Sequence, residues 1–313
     1  MSHLTGLIAA AHTPLTVEGE LALPVVAEQA ALFSETGLTG VFVAGTTGES
    51  LSLSVVERQQ LLETWCRAAE GSGLTVIAHV GHPSRPEATE LARHAVGAGA
   101  DAVAAMAPPF FRPEEVADLV GFLAPVAAAA VDLPFYYYDI PALTGVDLPT
   151  DEFLAVAAER IPNLAGVKFA RDDPVLLRTC LDLDGGRFEV LFGIDEQLST
   201  ALAAGVRGAV GSTYNYAAPL YRPFFEAIEA GDEENARETQ HVSVRLVEIL
   251  SRFGVLRAGK EIMGLLGIDC GPPRSPLRQL SAGERRALYE DLRSLEEMSG
   301  RTLFNRPLRA PGA

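Results

Sequence analysis

One lysine of this sequence stands inside an otherwise apolar run, GVKFA, residues 166–170. An ammonium group in such a run is costly to bury unless it finds a partner, reaches solvent or loses its proton. An amine without its extra proton is a nucleophile, and attack on a ketone to form a Schiff base is the chemistry it performs. Asp172 or Asp173 could instead form an ion pair with Lys168, so both interpretations stay open at this point.

The second candidate is the turn GTTGES, residues 45–50. Its two glycines allow a tight turn, so peptide N–H groups and the hydroxyls of Thr46 and Thr47 can converge on a carboxylate. The alternative is an ordinary turn between a strand and a helix, with Ser or Thr capping the helix. The phosphate-loop pattern Gly-x-x-x-x-Gly-Lys is absent.

Three consecutive tyrosines, residues 136–138, form the third candidate. Neighbouring residues of a strand point to opposite faces, so Tyr136 and Tyr138 share one side and Tyr137 takes the other. A tyrosine hydroxyl at the end of a strand can relay a proton. Alternatively, the three rings fill the core and the interface with helices.

The last candidates are Asp195 and Glu196, together with GSTYN, residues 211–215. The two acids could accept hydrogen bonds from substrate hydroxyls, or Asp195 could cap a helix. No histidine or further acid clusters with them, so the sequence predicts no metal site there. His79 and His82, three residues apart, are weak evidence for a metal, and we interpret His79 as a packed strand residue.

These candidates follow short apolar runs that alternate with stretches of helical period. Continuous hydrophobicity is typical of parallel strands buried on both faces. Eight such units predict a (β/α)8 TIM barrel, in which reacting groups project from the carboxyl ends of the strands. A doubly wound open sheet is the competing architecture. The expected strands are 7–11, 40–44, 75–80, 102–107, 133–138, 165–170, 189–192 and 208–211.

Helix boundaries are marked by proline, serine and glycine. The expected starts are Ser54, Pro86, Pro113 and Pro174, and the expected ends are Gly71, Gly97 and Gly205. After the eighth strand only helical segments follow, near 220–230, 232–253, 260–266 and 282–298. We therefore expect a barrel over residues 1–218 and a C-terminal helical extension, residues 219–313, packed on it.

Composition restricts the partners and the compartment. The formal charge is −16, from 25 Lys and Arg against 41 Asp and Glu, so the surface repels nucleic acid and anionic membranes. Cys66, Cys180 and Cys270 form no C-x-x-C pair, which predicts neither a disulfide framework nor a zinc site. The first residues lack the features of a signal peptide and no run is long enough to span a bilayer, so we expect a cytoplasmic protein.

Taken in order, GTTGES, AHVG, YYYDIPALTGV, GVKFA, GIDEQL and GSTYNY resemble the N-acetylneuraminate lyase and dihydrodipicolinate synthase superfamily of class I pyruvate aldolases. The resemblance runs from about Gly6 to beyond Pro273. Within the superfamily, the motifs IPALTG, DEQL and GSTYNY and the late GPPR-x-P-L stretch are most similar to the lyases. This resemblance implies reversible cleavage of N-acetylneuraminate to pyruvate and N-acetylmannosamine.

The resemblance also implies roles for single residues. Lys168 matches the Schiff-base lysine, Tyr138 the proton relay, and Thr46 and Thr47 the pair that holds the pyruvyl carboxylate, with Thr47 counted among the catalytic residues. Neither a metal nor a dissociable cofactor is implied, the partners are a 2-oxo acid and an aldehyde sugar, and the assembly is a homotetramer. The positions expected to contact the sugar are Ala170, Gly193, Asp195, Glu196 and Ser212.

Three departures restrict the activity. Dihydrodipicolinate synthases carry an arginine where this chain has Leu143, and a tyrosine in the stretch where residues 108–111 offer only phenylalanine. Lyases place Thr or Ser where Ala170 stands, a loss of roughly 1 kcal/mol of hydrogen bonding. A sister aldolase for another 2-oxo-3-deoxy sugar acid is therefore the second hypothesis. A dehydratase or synthase of the superfamily and a non-enzymatic sensor are the remaining ones.

Overall fold

Eight parallel strands close into a barrel in chain order, each paired with the next and the eighth with the first. A computed structural model describes residues 4–311. The predicted barrel is confirmed and the open sheet is wrong. Strand ends differ from the expected ones by two residues or fewer. The strands are β1 Gly6–Ala10, β2 Gly40–Val43, β3 Thr75–His79, β4 Ala102–Met106, β5 Phe135–Asp139, β6 Leu164–Phe169, β7 Glu189–Phe192 and β8 Gly208–Gly211.

Helices cover the outside of the barrel and continue beyond it. No helix within residues 4–311 is long and apolar enough to cross a membrane. The helices are α1 Val25–Glu35, α2 Val55–Ala69, α3 Arg85–Ala98, α4 Val116–Ala128, α5 Pro141–Thr144, α6 Thr150–Ala158, α7 Pro174–Asp182, α8 Leu198–Ala203, α9 Tyr214–Ala230, α10 Glu233–Phe253, α11 Val255–Leu265 and α12 Ala282–Ser299.

Side chains alternate between the inside of the barrel and the layer beneath the helices. Tyr136 and Tyr138 lie inside, in a small cluster with Phe42. Tyr137 points outward and packs against Phe153 of α6, with ring centroids 4.3 Å apart. The predicted division of the three tyrosines is therefore confirmed, because Tyr136 and Tyr138 lie inside the barrel and Tyr137 fills the interface with α6.

Most helix boundaries follow the expected signals. Ser54 caps α2 in a capping box, and Pro174 is the first residue of α7. Two boundary predictions are wrong. Gly97 lies within α3, which ends at Ala98 and is followed by Gly99, where φ is 83°, because the left-handed backbone that stops a helix occurs there. Pro113 precedes the first helical residue of α4 by three positions.

Helix α9 begins at Tyr214, six residues before the expected start at Leu220, and α11 begins at Val255, five residues before the expected start at Lys260. Pro219 and Pro223 lie inside α9, and Ala217 departs from helical geometry with φ −125°. A proline lacks the N–H that donates the helical hydrogen bond, so it favours the start of a helix over its interior. Here the helix contains both prolines and bends instead. The expected boundary between barrel and extension falls within α9, and the division into two parts stays a prediction.

His12, just after β1, is buried where the barrel meets the C-terminal helices. Neither ring nitrogen has a hydrogen-bond partner within the described part of the chain. The ring stacks at 6.5 Å on Tyr216, and a Cβ at Gly259 would come within 2.6 Å of Nε2. Burial, aided by the charge of Lys260, lowers the pKa of His12 from 6.5 to about 3. The imidazole is therefore neutral in the folded protein.

We predict that His12→Leu makes stability less sensitive to acid. The unfolded chain binds a proton at His12 below pH 6.5 and the folded chain does not until about pH 3, so folding loses stability as the pH falls through this range. Between pH 7 and pH 5 the unchanged protein should lose about 2 kcal/mol more than the variant. Urea unfolding at both pH values measures the difference.

The matched control is His241→Leu on the exposed surface of α10, which should keep the pH dependence of the unchanged protein. Equal slopes for His12→Leu and the unchanged protein would contradict the assignment of a neutral, buried imidazole.

Candidate active site

The amine of Lys168 lies inside the barrel near the end of β6. The residue is 4% exposed, and Nζ is 4.1 Å from the centroid of the Tyr138 ring and 4.4 Å from that of Phe42. None of the ion pairs found within residues 4–311 includes Lys168. Asp173 caps α7 and Asp172 is exposed, so the alternative of an ion pair with either of them is not what the structure shows.

The hydroxyl of Tyr138 joins the lysine to the threonine turn. Tyr138 pairs with Lys168 across β5 and β6, and its oxygen is 3.2 Å from Oγ1 of Thr46. The edges of its ring meet Phe42 and His79 at centroid distances of 5.6 and 5.8 Å. An amine, a phenol and a threonine hydroxyl therefore meet at the carboxyl end of the barrel.

The turn itself is unusual in its backbone. Ala44 and Glu49 both have left-handed φ angles, 53° and 58°, which cost a residue with a Cβ roughly 1–2 kcal/mol each. Between them, the N–H groups of Thr46, Thr47 and Gly48 have no acceptor within the described residues. Three adjacent donors of this kind can hold an anion such as a carboxylate. The capping role proposed as the alternative belongs to Ser54, further along the chain.

A buried ion pair fixes the far end of the turn. Nζ of Lys260, from α11, lies 2.7 Å from Oε1 of Glu49, and both side chains are 2% exposed. Oε1 of Glu49 accepts no well-aligned hydrogen bond, so its contact with Lys260 is an ion pair. The other oxygen, Oε2, accepts from the backbone N–H of Arg274 at 2.7 Å. Lys260 also donates to the carbonyl of Pro272. Burial lowers the pKa of Lys260, and the Glu49 carboxylate opposes that shift.

His79 supports the near end of the turn. Its Nδ1 is 2.9 Å from the carbonyl oxygen of Ala44, while buried Arg58 donates to the carbonyls of His79 and Gly81 at 2.5 and 2.9 Å. Burial, followed by the charge of Arg58, lowers the pKa of His79 well below its usual value. The imidazole is therefore neutral and Nδ1–H donates to Ala44. The interpretation of His79 as a packed strand residue is confirmed.

Asp195 lies on the opposite side of the barrel mouth. Its Oδ2 accepts from the backbone N–H and the hydroxyl of Thr213 at 2.9 and 2.7 Å. Its Oδ1 lies against Gly211, where a Cβ would come within 1.9 Å, and has no aligned donor among residues 4–311. Burial raises the pKa of Asp195, opposed by Thr213 and by the charge of Lys168. Asp195 is the first residue of a short helix whose N-cap position is Ile194, so Asp195 does not cap that helix.

The other predicted contacts lie around Asp195. A Cβ at Gly193 would come within 2.9 Å of the Ala170 methyl group, so these two positions adjoin. Glu196 and Ser212 are half-buried, and burial raises the pKa of Glu196. The carbonyl of Glu196 accepts from the side chain of Gln240 in α10. No three His, Cys, Asp or Glu side chains within the described ranges are grouped as a metal site.

A cavity of about 250 Å³ opens beside Thr46. Its wall is largely apolar and includes Met106, Leu143, Leu256 and Leu277. No lysine or arginine among the described residues lines it. A second carboxylate of a substrate would therefore find no positive side chain here.

The structure thus brings Lys168, Tyr138 and Thr46 into contact, with Thr47 in the same turn. Sequence reasoning missed the residues that support them, Glu49, Lys260 and Arg58. One signal was available for Lys260, since it stands in the otherwise apolar face of α11. The pairing with Glu49 has no local signal.

The chain was compared with known proteins. The model of the dihydrodipicolinate synthetase family matches residues 3–295. The N-acetylneuraminate lyase of Rattus norvegicus is 42% identical over 301 residues, 95% of this chain and 94% of that protein. The lyase of Homo sapiens is 43% identical over the same share of each chain.

Two solved structures agree with this similarity. The N-acetylneuraminate lyase (sialic acid aldolase) of Aliivibrio salmonicida is 40% identical, with a TM-score of 0.92 over 96% of this chain and 100% of that one. The lyase of Proteus mirabilis is 39% identical, with a TM-score of 0.91 over 94% and 99%. The resemblance inferred from the motifs is confirmed. The chain belongs to the dihydrodipicolinate synthetase family and is similar, within it, to the N-acetylneuraminate lyases.

Proposed function

We propose that this protein is a carbon–carbon lyase that cleaves N-acetylneuraminate reversibly to pyruvate and N-acetylmannosamine through a Schiff base at Lys168. The observation that carries the proposal is the amine of Lys168, buried without a carboxylate partner and 4.1 Å from the Tyr138 ring centroid. The similarity to named lyases over nearly the whole chain supports the same substrate.

The reaction begins at the ketone carbon, C2. The carboxylate of the open-chain substrate binds the N–H groups and hydroxyls of Thr46 and Thr47, which presents C2 to Lys168. The amine adds to C2, and loss of water leaves a protonated imine between Nζ and C2. The imine withdraws electrons from the neighbouring carbons, so no metal or dissociable cofactor takes part in this scheme.

Tyr138 then moves the proton that breaks the C3–C4 bond. Its hydroxyl, hydrogen-bonded to Thr46, takes the proton of the C4 hydroxyl while passing its own proton to the substrate carboxylate held at the threonine turn. The C3–C4 electron pair moves into the imine and gives an enamine, while C4 leaves as the aldehyde of N-acetylmannosamine. Protonation of C3 and hydrolysis of the imine release pyruvate and restore the lysine.

The sugar chain of the substrate lies on the side of Asp195. Asp195 is buried and held by Thr213, so its place in the site is to support the polar residues beside it. Glu196, Ser212 and the backbone at Gly193 offer polar atoms next to it. The apolar cavity beside Thr46, without a cation, argues against dihydrodipicolinate synthase activity, since that substrate brings a second carboxylate.

Reductive trapping tests the Schiff base. Lys168 and Lys260 are the two lysines of the sequence, and Lys260 is held by Glu49 and Pro272. After incubation with pyruvate and borohydride, peptide mass spectrometry should find one reduced pyruvyl group on Lys168 and none on Lys260. Lys168→Arg, whose guanidinium cannot form the imine, should abolish both trapping and cleavage. Cleavage of the substrate by a protein that carries no pyruvyl adduct would contradict the mechanism.

The identity of the sugar is tested at Ala170, where the missing hydroxyl favours the second hypothesis, an aldolase for another 2-oxo-3-deoxy sugar acid. If N-acetylneuraminate is the substrate, Ala170→Ser should add one hydrogen bond and lower KM about fivefold, equivalent to about 1 kcal/mol. Ala203→Ser, on the exposed side of α8, is the control and should leave KM unchanged. Faster cleavage of 2-keto-3-deoxygluconate than of N-acetylneuraminate by the unchanged protein would favour the second hypothesis.

We also propose a homotetramer, and a cytoplasmic location stays a prediction. Phe110 and Phe111 are 79% and 85% exposed, and adjacent apolar rings on a surface favour burial against another subunit. Light scattering should give about four times the mass of 33.2 kDa. A monomeric mass at micromolar concentration would contradict this assembly.

A further inference from the structure

At the carboxyl ends of β5 and β6, one arginine and one aspartate link the two strands. Nε and Nη2 of Arg171 donate to Oδ2 and Oδ1 of Asp139 at 2.9 and 3.2 Å. Thr150, at the start of α6, donates its hydroxyl to Oδ2 at 2.5 Å. We use the name strand clamp for Asp139, Arg171 and Thr150. Asp139 follows Tyr138 directly, and Arg171 stands three residues after Lys168.

The strand clamp lies next to the point where Tyr138 and Lys168 are neighbours on adjacent strands. Tyr138 pairs with Lys168, and the N–H of Ala170 donates to the carbonyl of Asp139 at 2.9 Å. Nearer the start of the strands, the register between β5 and β6 shifts at residues 135–136. The pairing of β5 with β6 is therefore irregular at the start of the strands. The regular pairs that align the two strands lie nearer their carboxyl ends.

Arg171 also fastens the loop that follows β5. Its Nη1 donates to Asp147 at 2.7 Å and its Nη2 to the carbonyl of Leu148 at 3.0 Å. Helix α5, just before these residues, carries Leu143 and Thr144, which line the cavity beside Thr46. One guanidinium thus holds both strand ends and the segment that follows α5.

The clamp is nearly removed from water. The side chain of Asp139 is 1% exposed and that of Arg171 is 11% exposed. Burial raises the pKa of Asp139, and Arg171 with Thr150 opposes that shift. A charged group at this depth requires its partner, so loss of Arg171 leaves Asp139 to take up a proton or to move toward water.

We propose that Arg171 and Asp139 are positioning residues of the lyase, which set the distance and orientation between Lys168 and Tyr138 and so control the proton transfer of C3–C4 cleavage. The inference rests on the proposed Schiff-base function. Imine formation needs Lys168 and the threonine turn, whereas cleavage also needs Tyr138 aligned with the C4 hydroxyl. Loss of the clamp therefore impairs cleavage and spares imine formation.

The test is the double variant Asp139→Leu with Arg171→Met, compared with Arg171→Met alone. Exchanging both partners of a buried ion pair for apolar side chains leaves neither charge unpaired, and the hydroxyl of Thr150 alone loses its acceptor, so the double variant should lose less Tm than Arg171→Met. Its kcat for cleavage should fall about tenfold or more, with KM within about threefold. Borohydride trapping of pyruvate on Lys168 should reach the level of the unchanged protein.

Asp147→Asn is the matched control, because it removes the solvent-exposed partner of the same guanidinium, 80% exposed, and should leave kcat unchanged. Tyr138→Phe is the reference, since it too should trap pyruvate and cleave slowly. A kcat of the double variant within twofold of the unchanged protein, or parallel losses of trapping and cleavage, would overturn the positioning role alone. Absence of trapping in the unchanged protein would instead overturn the proposed function and this inference together.

Discussion

The amine of Lys168 is surrounded by aromatic rings and has no carboxylate partner in the described structure, although three buried acids stand at the same end of the barrel. Each of these acids has a partner of its own. Glu49 pairs with Lys260, Asp139 with Arg171, and Asp195 accepts from Thr213. Because each acid has a partner of its own, none of the three forms an ion pair with Lys168 among the described residues.

The same partners also fix the geometry of the candidate site. The turn that carries Thr46 has two left-handed residues, and such a backbone persists where the surroundings hold it. His79 holds one end of the turn, and the Glu49–Lys260 pair holds the other. These buried ion pairs therefore matter more for the position of the side chains than for the net stability of the fold. Compared with apolar replacements, buried ion pairs make a small or negative contribution to folding stability.

The eight strands could be predicted from the sequence because each is a continuous apolar run. The alternation of side chains along a strand explains why Lys168 and Tyr138 lie inside the barrel. The sequence was insufficient for helix ends such as the one before Gly99 and the start at Tyr214, where backbone conformation and bending decide. Arg58 and Lys260 were missed because their partners lie far away in the chain, and only tertiary structure brings a cation and its acceptor together. The assignment of the sugar-contacting residues comes from family resemblance.

The contact between Glu49 and the backbone of Arg274 spans 225 residues. During synthesis the ribosome makes the threonine turn early, yet the segment that fixes it emerges only after all eight strands have been translated. The nascent barrel therefore passes through a period in which its strands can associate while Glu49 of the threonine turn has no counter-charge. Long sequence separation of this kind slows folding, and a chaperone that shields the open end during translation would act on this interval.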